Sequence, residues 1–389
     1  MKLTFSDKTE MFGEGIFAVL NEKKNEMVKE GKKIYNLSVG TPDFEPPEHI
    51  RKAVAEAALK PENYKYSLTD LPELTEAVQS FYQKRFGVQL EKNEIMSMNG
   101  SQEGMTHFAW ALCNPGDVVL VPNPGYPIFK IGPELCDAVT VEYPLYEKNN
   151  FLPKLKDIPE ETARKARFMV VSYPSNPVCS AADDCFYQEL IAFAKKYDIM
   201  ILHDNAYSDI VFDGKKGGSF LQYEGAKDVG VEFYSLSKSF NYTGARVSFC
   251  VGNAQIVEKF RTIRSQIDYG IFYPIQYGAI AALTGPQDSV AEQCKKYERR
   301  SRTLCRGLSQ IGWKVKDTQG TMFVWAPLPE GFHNSNEFCM ELMEKSGVIC
   351  TPGSSFGSLG EGYVRFALVL PEEELQAAVE SIRKSGILN

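Results

Sequence analysis

Between about residue 95 and residue 252 the chain repeats one pattern, a short and almost continuous apolar run followed by a stretch with helical spacing. The runs are 117–121, 167–171, 199–203, 231–234 and 247–251. A strand that is apolar at nearly every position is covered on both faces, so the pattern predicts a mostly parallel sheet in an α/β fold. One intervening helix is explicit. Asp183 and Asp184 give it an acidic start, which the helix dipole favours, and Phe186, Leu190, Ile191, Ala194 and Tyr197 fall on one face. After about residue 275 the rhythm changes to a long helical stretch, 275–311, and then to an α+β region. That region has strands at 321–325 and 363–368 and helices at 336–345 and 371–384. A chain of 389 residues is long for one core. We therefore expect a large domain at 44–275 and a smaller α+β domain made of 1–43 and 276–389, because an N-terminal arm of that length would otherwise hang free.

Composition narrows the partners. The chain is 43% hydrophobic and 24% charged, with a net charge of -7. It has no basic field to draw nucleic acid or an anionic membrane, which favours small-molecule partners. No apolar run approaches the ~20 residues that span a bilayer, and the start lacks a signal-peptide core. A cytoplasmic location is the expectation. Nine cysteines without a C-x-x-C pair, and four histidines far apart, argue against a disulfide framework and a metal site.

Three polar clusters follow directly on three of the apolar runs: Ser172 to Pro177, His203 to Tyr207, and Ser235 to Lys238. In a doubly wound sheet such strand ends line one crevice. Lys238 lies in Ser235-Leu236-Ser237-Lys238, eight residues before Arg246. Its amine can form a Schiff base with an aldehyde, while two serine hydroxyls and a guanidinium suit a phosphate. Aldehyde plus phosphate describes pyridoxal 5'-phosphate, whose sites pair a lysine with an acid for the pyridinium nitrogen. Asp204 can be that acid, and Asn176 and Tyr207 can reach the ring hydroxyl. Taken singly, Asp204 reads equally well as a turn cap and Asn176 as a loop residue before Pro177. Gly100-Ser101-Gln102 opens an amphipathic run, so its N–H groups can face a phosphate. Tyr126 offers a ring for stacking. Dinucleotide, P-loop and zinc-protease motifs are absent from the sequence.

The ordered set Tyr66, Gly100-Ser101, Tyr126-Pro127, Asn176-Pro177, Asp204-x-x-Tyr207, Ser235-x-Ser237-Lys238, Arg246 and Arg365 resembles the fold-type I, class I/II aminotransferases over essentially the whole chain. It is most similar to the LL-diaminopimelate aminotransferases, through Gly100-Ser101-Gln102-Glu103-Gly104, Asn150-Phe151-Leu152-Pro153, His203-Asp204-Asn205-Ala206-Tyr207-Ser208 and Gly225-Ala226-Lys227-Asp228-Val229-Gly230. The resemblance implies transamination in amino acid metabolism, with lysine biosynthesis as its setting. It implies that Lys238 holds the cofactor and shuttles a proton, that Asp204 takes the pyridinium, and that Tyr207 and Asn176 take the ring oxygen. Ser101, Gln102, Ser235, Ser237 and Arg246 would hold the phosphate. Tyr66 would come from the second subunit of a homodimer. Arg365 would take the substrate carboxylate, helped by Asn176 and the backbone of Gly40.

Some positions depart from the pattern. Asn176-Pro177-Val178-Cys179 stands for Asn-Pro-Thr-Gly, Ser248 for a glycine after the phosphate arginine, and Asp70 for a glycine beyond Tyr66. Gln102 and Gln266 stand where the diaminopimelate group has Lys and Asn, and both touch substrate or cofactor contacts. Alternatives are an aminotransferase for alanine, aspartate or an aromatic amino acid, or a cystathionine-type β-lyase. A pyridoxal-phosphate-binding regulator would need a DNA-binding module, and only about 40 residues precede the first motif.

Overall fold

The computed structural model describes residues 1, 3–11 and 16–388, the side chains of 16–18 excepted. It divides into two compact units, Met1–Gly40 with Arg299–Asp317 and Met322–Asn389, and Thr41–Glu298 with Thr318–Thr321.

In the larger unit seven strands form one sheet in the order Ile95–Met98, Ser248–Gly252, Gly230–Ser235, Met200–Asp204, Ala166–Ser172, Val118–Asn123 and Val139–Pro144. Only Ser248–Gly252 runs against its neighbours, and the remaining pairings are parallel. All five apolar runs are strands. Two strands were not legible as such runs. Ile95–Met98 is four residues long, and Val139–Pro144 is an edge strand, largely unburied and interrupted by Thr140 and Glu142.

Helices cover the sheet because its strands are apolar on both sides. On one face, Phe108 of the helix Ser101–Leu112 meets Phe168, Phe233 and Phe260 edge-on at 5.4, 5.6 and 5.6 Å. This fully buried ring organises a core that includes Met98, Val170, Leu202, Val231 and Val257. Truncating a buried phenylalanine of this kind to alanine costs about 3–5 kcal/mol. On the other face the helix Asp184–Tyr197, capped by the Asp183 carboxylate on Phe186 N at 2.9 Å, brings Tyr187 against His203.

The long helix expected at 275–311 is two helices, Tyr273–Thr284 and Asp288–Gln310. Gly285-Pro286 separates them, since proline has no N–H to donate and disfavours helical geometry in the residue before it. Tyr273–Thr284 packs on Glu48–Ala58 and Pro72–Phe86. A Cβ at Gly278 would lie 2.6 Å from Val54 Cγ2, so only glycine permits that approach. Residues 276–298 accordingly belong to the unit with the sheet, and the boundary expected at 275 lies further along the chain.

In the smaller unit, Thr351–Pro352, Tyr363–Ala367 and Phe323–Pro327 form an antiparallel sheet. The N-terminal arm is tied here by Tyr35–Asn36, which pairs in parallel with Val348–Ile349. The helix Ser335–Ser346 starts on the Asn334 side chain, which accepts from Asn336 N and Glu337 N, and it packs against Glu372–Ser385.

Candidate active site

Four parallel strands of the large sheet end side by side, and the polar residues that follow them share one edge. Asn123 leads to Tyr126, Ser172 to Asn176, Asp204 to Tyr207 and Ser235 to Lys238. Ser172 and Asp204 are in register, as are Asp204 and Phe233. The strand Ile95–Met98 delivers Gly100 and the start of the helix Ser101–Leu112 to the same edge, and the reversed strand Ser248–Gly252 begins there after Arg246. The sheet thus brings together nine of the residues expected at the site: Ser101, Gln102, Tyr126, Asn176, Asp204, Tyr207, Ser235, Ser237 and Lys238, with Arg246 beside them.

Lys238 sits on the short helical turn Leu236–Ser239, half-buried. The Ser235 hydroxyl caps that turn by accepting from Ser237 N at 3.2 Å. Gln293 donates to the Lys238 carbonyl at 2.7 Å, and Thr243 Oγ1 donates to the Ser237 carbonyl at 2.9 Å. Arg246 has a left-handed backbone, φ 53, and Nη1 donates to the Thr243 carbonyl at 3.0 Å. Its guanidinium lies against Gly100, which has φ 91 and where no side chain would fit. Tyr126 Oη donates to Gln102 Oε1 at 3.3 Å. Asn176 and Tyr207 are buried.

Asp204 is 9% exposed, and burial pushes its carboxyl up to about 6. Asp204 Oδ1 and Ser101 Oγ are both buried without a hydrogen-bond partner among the described residues. Leaving a buried polar atom unpaired costs about 1–3 kcal/mol. The pair fits a ligand with a cationic donor for Asp204 and an anionic acceptor for Ser101 at its helix N-terminus. Pyridoxal phosphate has both, in its ring nitrogen and its phosphate. Ser235, Ser237 and Arg246 could add donors for its phosphate, and Lys238 an amine for its aldehyde.

Not every expected residue joins this edge. Tyr66 is 75% exposed and its ring lies 4.9 Å from that of Tyr269. Gln266 is also exposed, with Nε2 donating to Ser265 Oγ at 3.0 Å. In the smaller unit Arg365 is 5% exposed on the strand Tyr363–Ala367, its Nη2 donating to the Ser38 carbonyl at 3.1 Å. Its guanidinium lies between two rings, 4.2 Å from Phe323 and 4.6 Å from Phe356. The Phe323 ring also packs on Gly40 where a Cβ would otherwise be.

Three supporting residues were missed. Asp209 Oδ2 accepts from Ser239 Oγ at 2.6 Å and Tyr234 Oη at 2.8 Å, which fastens the Lys238 turn to the chain beyond Tyr207. Arg264 pairs with Asp268, Nη2 to Oδ1 at 2.9 Å, and donates to the Ser97 carbonyl, while Asn99 donates to Asp268 at 3.1 Å. Nothing local marks Asp209, whose partners lie 25 and 30 residues away, or the bond of Arg264 to Ser97, 167 residues away, although Arg264 and Asp268 themselves are only four apart. Asp70, noted only as a departure, accepts from Ser97 N at 3.0 Å and from Ser97 Oγ.

The model of the family described as aminotransferase class I and II matches residues 32–382. An LL-diaminopimelate aminotransferase of Halothermothrix orenii is 43% identical over 374 residues, 96% of each chain. Another, from Aquifex aeolicus, is 40% identical over 381 residues, 97% of this chain and 98% of that one. The solved structure of apo-BacF from Bacillus subtilis superposes with a TM-score of 0.95 at 37% identity, covering 99% of this chain and 98% of the other. Sequence, fold and the cofactor-shaped set of groups agree: the chain belongs to the class I and II aminotransferases and is a pyridoxal-phosphate-dependent transaminase.

Proposed function

We propose that the chain transfers an amino group from LL-2,6-diaminopimelate to 2-oxoglutarate, a reaction of lysine metabolism. The observation that carries this is the 43% identity to the Halothermothrix orenii enzyme across 96% of both chains. Bound pyridoxal phosphate supplies an electron sink that makes the Cα proton of an amino acid removable.

The residues divide the remaining work. Lys238 would hold the cofactor through its amine and, once released, would serve as general base and acid for the substrate Cα proton. Asp204 pairs with the ring nitrogen and keeps it cationic. Tyr207 and Asn176 donate to the ring oxygen, and Tyr126 covers the ring. Ser101, Gln102, Ser235, Ser237 and Arg246 hold the phosphate, which fixes the ring against the lysine. Arg365 takes a substrate carboxylate as a bidentate pair, which only a planar guanidinium offers, and Gly40 supplies backbone beside it. Gln266 contacts substrate.

The exposed aromatic stretch of Tyr64, Tyr66, Tyr269 and Phe272 is 65%, 75%, 59% and 44% accessible. Such a patch suits burial against a second copy of the chain, which would carry Tyr66 into the partner's site. We assign a homodimer on this basis; among the described residues no helix is long and apolar enough to cross a membrane.

A coupled assay tests the donor. LL-diaminopimelate, alanine, aspartate and aromatic amino acids are compared at equal concentration with 2-oxoglutarate. The highest kcat/KM is expected for LL-diaminopimelate; the lowest there would leave a transaminase of another donor.

A further inference from the structure

On the face of the sheet opposite Asp204 lies a second set of buried polar side chains that the reaction above does not use. Side chains alternate along a strand, so Asp204 and its register partner Phe233 point to one face while His203 and its partner Glu232 point to the other. His203 and Glu232 are fully buried. Glu232 Oε1 accepts from Tyr82 Oη at 2.9 Å and Ser219 Oγ at 2.8 Å, and Oε2 accepts from Phe220 N at 2.8 Å and meets His203 Nδ1 at 3.1 Å. His203 Nε2 lies 3.1 Å from Tyr187 Oη.

The protons of this cluster follow from its partners. Burial holds the Tyr82 and Tyr187 phenols well above their ordinary range, so both keep their protons and donate. The Tyr187 hydroxyl faces His203 Nε2, which assigns Nε2 as acceptor and leaves the ring proton on Nδ1, directed at Glu232. Four donors on one carboxylate suit its ionised, acceptor-only form. No Lys or Arg pairs with Glu232 among the described residues. The neighbouring charges are spoken for: Arg85 pairs with Asp209, which also accepts from Tyr234, and Tyr223 stacks on Tyr187 and donates to Asp184.

We propose that Glu232, caged in this way, is a fixed negative charge beneath Asp204 that helps keep the cofactor's ring nitrogen protonated, with His203 holding it in place. Both are positioning residues for transamination. The inference rests on the reading of Asp204 as partner of that nitrogen.

The test is a pH titration of the ¹⁵N chemical shift of the ring nitrogen, read on ring-labelled cofactor bound to purified holoenzyme. A unit charge some 10 Å away in a protein interior moves a cationic group by about half a pH unit or more. Glu232→Gln should therefore lower the titration midpoint by that amount, and Asp204→Asn should lower it further. Tyr82→Phe removes a hydrogen bond but no charge, so it should shift thermal stability and leave the midpoint near that of the wild type. An unmoved midpoint in folded Glu232→Gln, or an equal shift in Tyr82→Phe, overturns the proposal. If Asp204→Asn itself leaves the midpoint unmoved, the reading of Asp204 has failed and this inference goes with it. Should Glu232→Gln not fold, Glu232→Gln combined with His203→Gln removes the same charge and gives the new amide an acceptor. Its midpoint must also fall, and an unchanged or raised midpoint is contrary to the proposal.

Discussion

The guanidinium of Arg246 fills the space over the Cα of Gly100: a Cβ built there would collide with Nη2 and lie 2.7 Å from Cζ. The contact joins two pieces of chain far apart in sequence, the turn before the reversed strand and the start of the helix that opens with Ser101. It also places a cation beside a helix N-terminus, where both favour an anion.

Gly100→Ala should therefore act on phosphate binding before it acts on fold. Its φ of 91 strains any side chain, at about 1–3 kcal/mol, and the added methyl must push Arg246 aside. We expect cofactor affinity to fall at least tenfold, read by absorbance titration of the apoprotein with pyridoxal phosphate. Unchanged affinity would remove Arg246 from the phosphate site.

Asp204 makes stability depend on pH in a direction set by burial. Its carboxyl titrates at about 6 in the fold against an ordinary 3.8. A raised acid holds its proton in the folded state between those values, so its contribution is complete below about pH 4 and is lost as pH rises through about 6. The difference corresponds to about 3 kcal/mol. The apoprotein should lose thermal stability between pH 4.5 and 7, and Asp204→Asn should flatten that slope and melt higher than wild type at pH 7.5. The cofactor should stabilise wild type more than the variant, since its cationic nitrogen relieves the buried charge. An identical pH slope in both proteins would show that Asp204 is not the source.

The strand ends were legible because parallel, doubly covered strands must be apolar throughout, and a polar residue right after such a run can only mark its end. Lys238, Asp204 and Asn176 are read this way. Supporting contacts were not, because they depend on pairings across the sheet: Asp209 with Ser239, and Arg264 with Ser97. Cys179 shows a different limit. Its position takes φ 58, the conformation for which glycine is the usual choice, yet the buried thiol is held between the Pro177 carbonyl and Thr321. Backbone geometry there is imposed by tertiary contacts, so residue type alone does not reveal it.

The proton-transfer role proposed for Lys238 is one that contributes about 10²–10⁴-fold in rate. Lys238→Ala should lose at least that much turnover and still bind the cofactor through the phosphate donors, without the yellow colour of the covalent form. Borohydride reduction of the wild type followed by peptide mapping should place the adduct on Lys238, and an adduct on another lysine would sink the assignment.

Arg365 is the sharpest test of substrate recognition. Its guanidinium carbon lies over the rings of Phe323 and Phe356, 4.2 and 4.6 Å from their centres, with Nη2 anchored on the Ser38 carbonyl. The planar group is thus oriented before any substrate arrives, and an ammonium in its place would have neither the stacking nor the fork. Removing one side of a buried charge pair costs about 2–5 kcal/mol. Arg365→Ala should lower kcat/KM for every amino acid donor by roughly 30-fold or more, and Arg365→Lys should recover little of it. Phe323→Leu, which removes one ring and keeps the charge, should give a smaller loss that appears mainly in KM. Affinity for the cofactor should stay within about twofold of wild type in all three. An Arg365→Ala variant with unchanged KM, measured by initial rates over a range of donor concentrations, would take the substrate carboxylate away from Arg365.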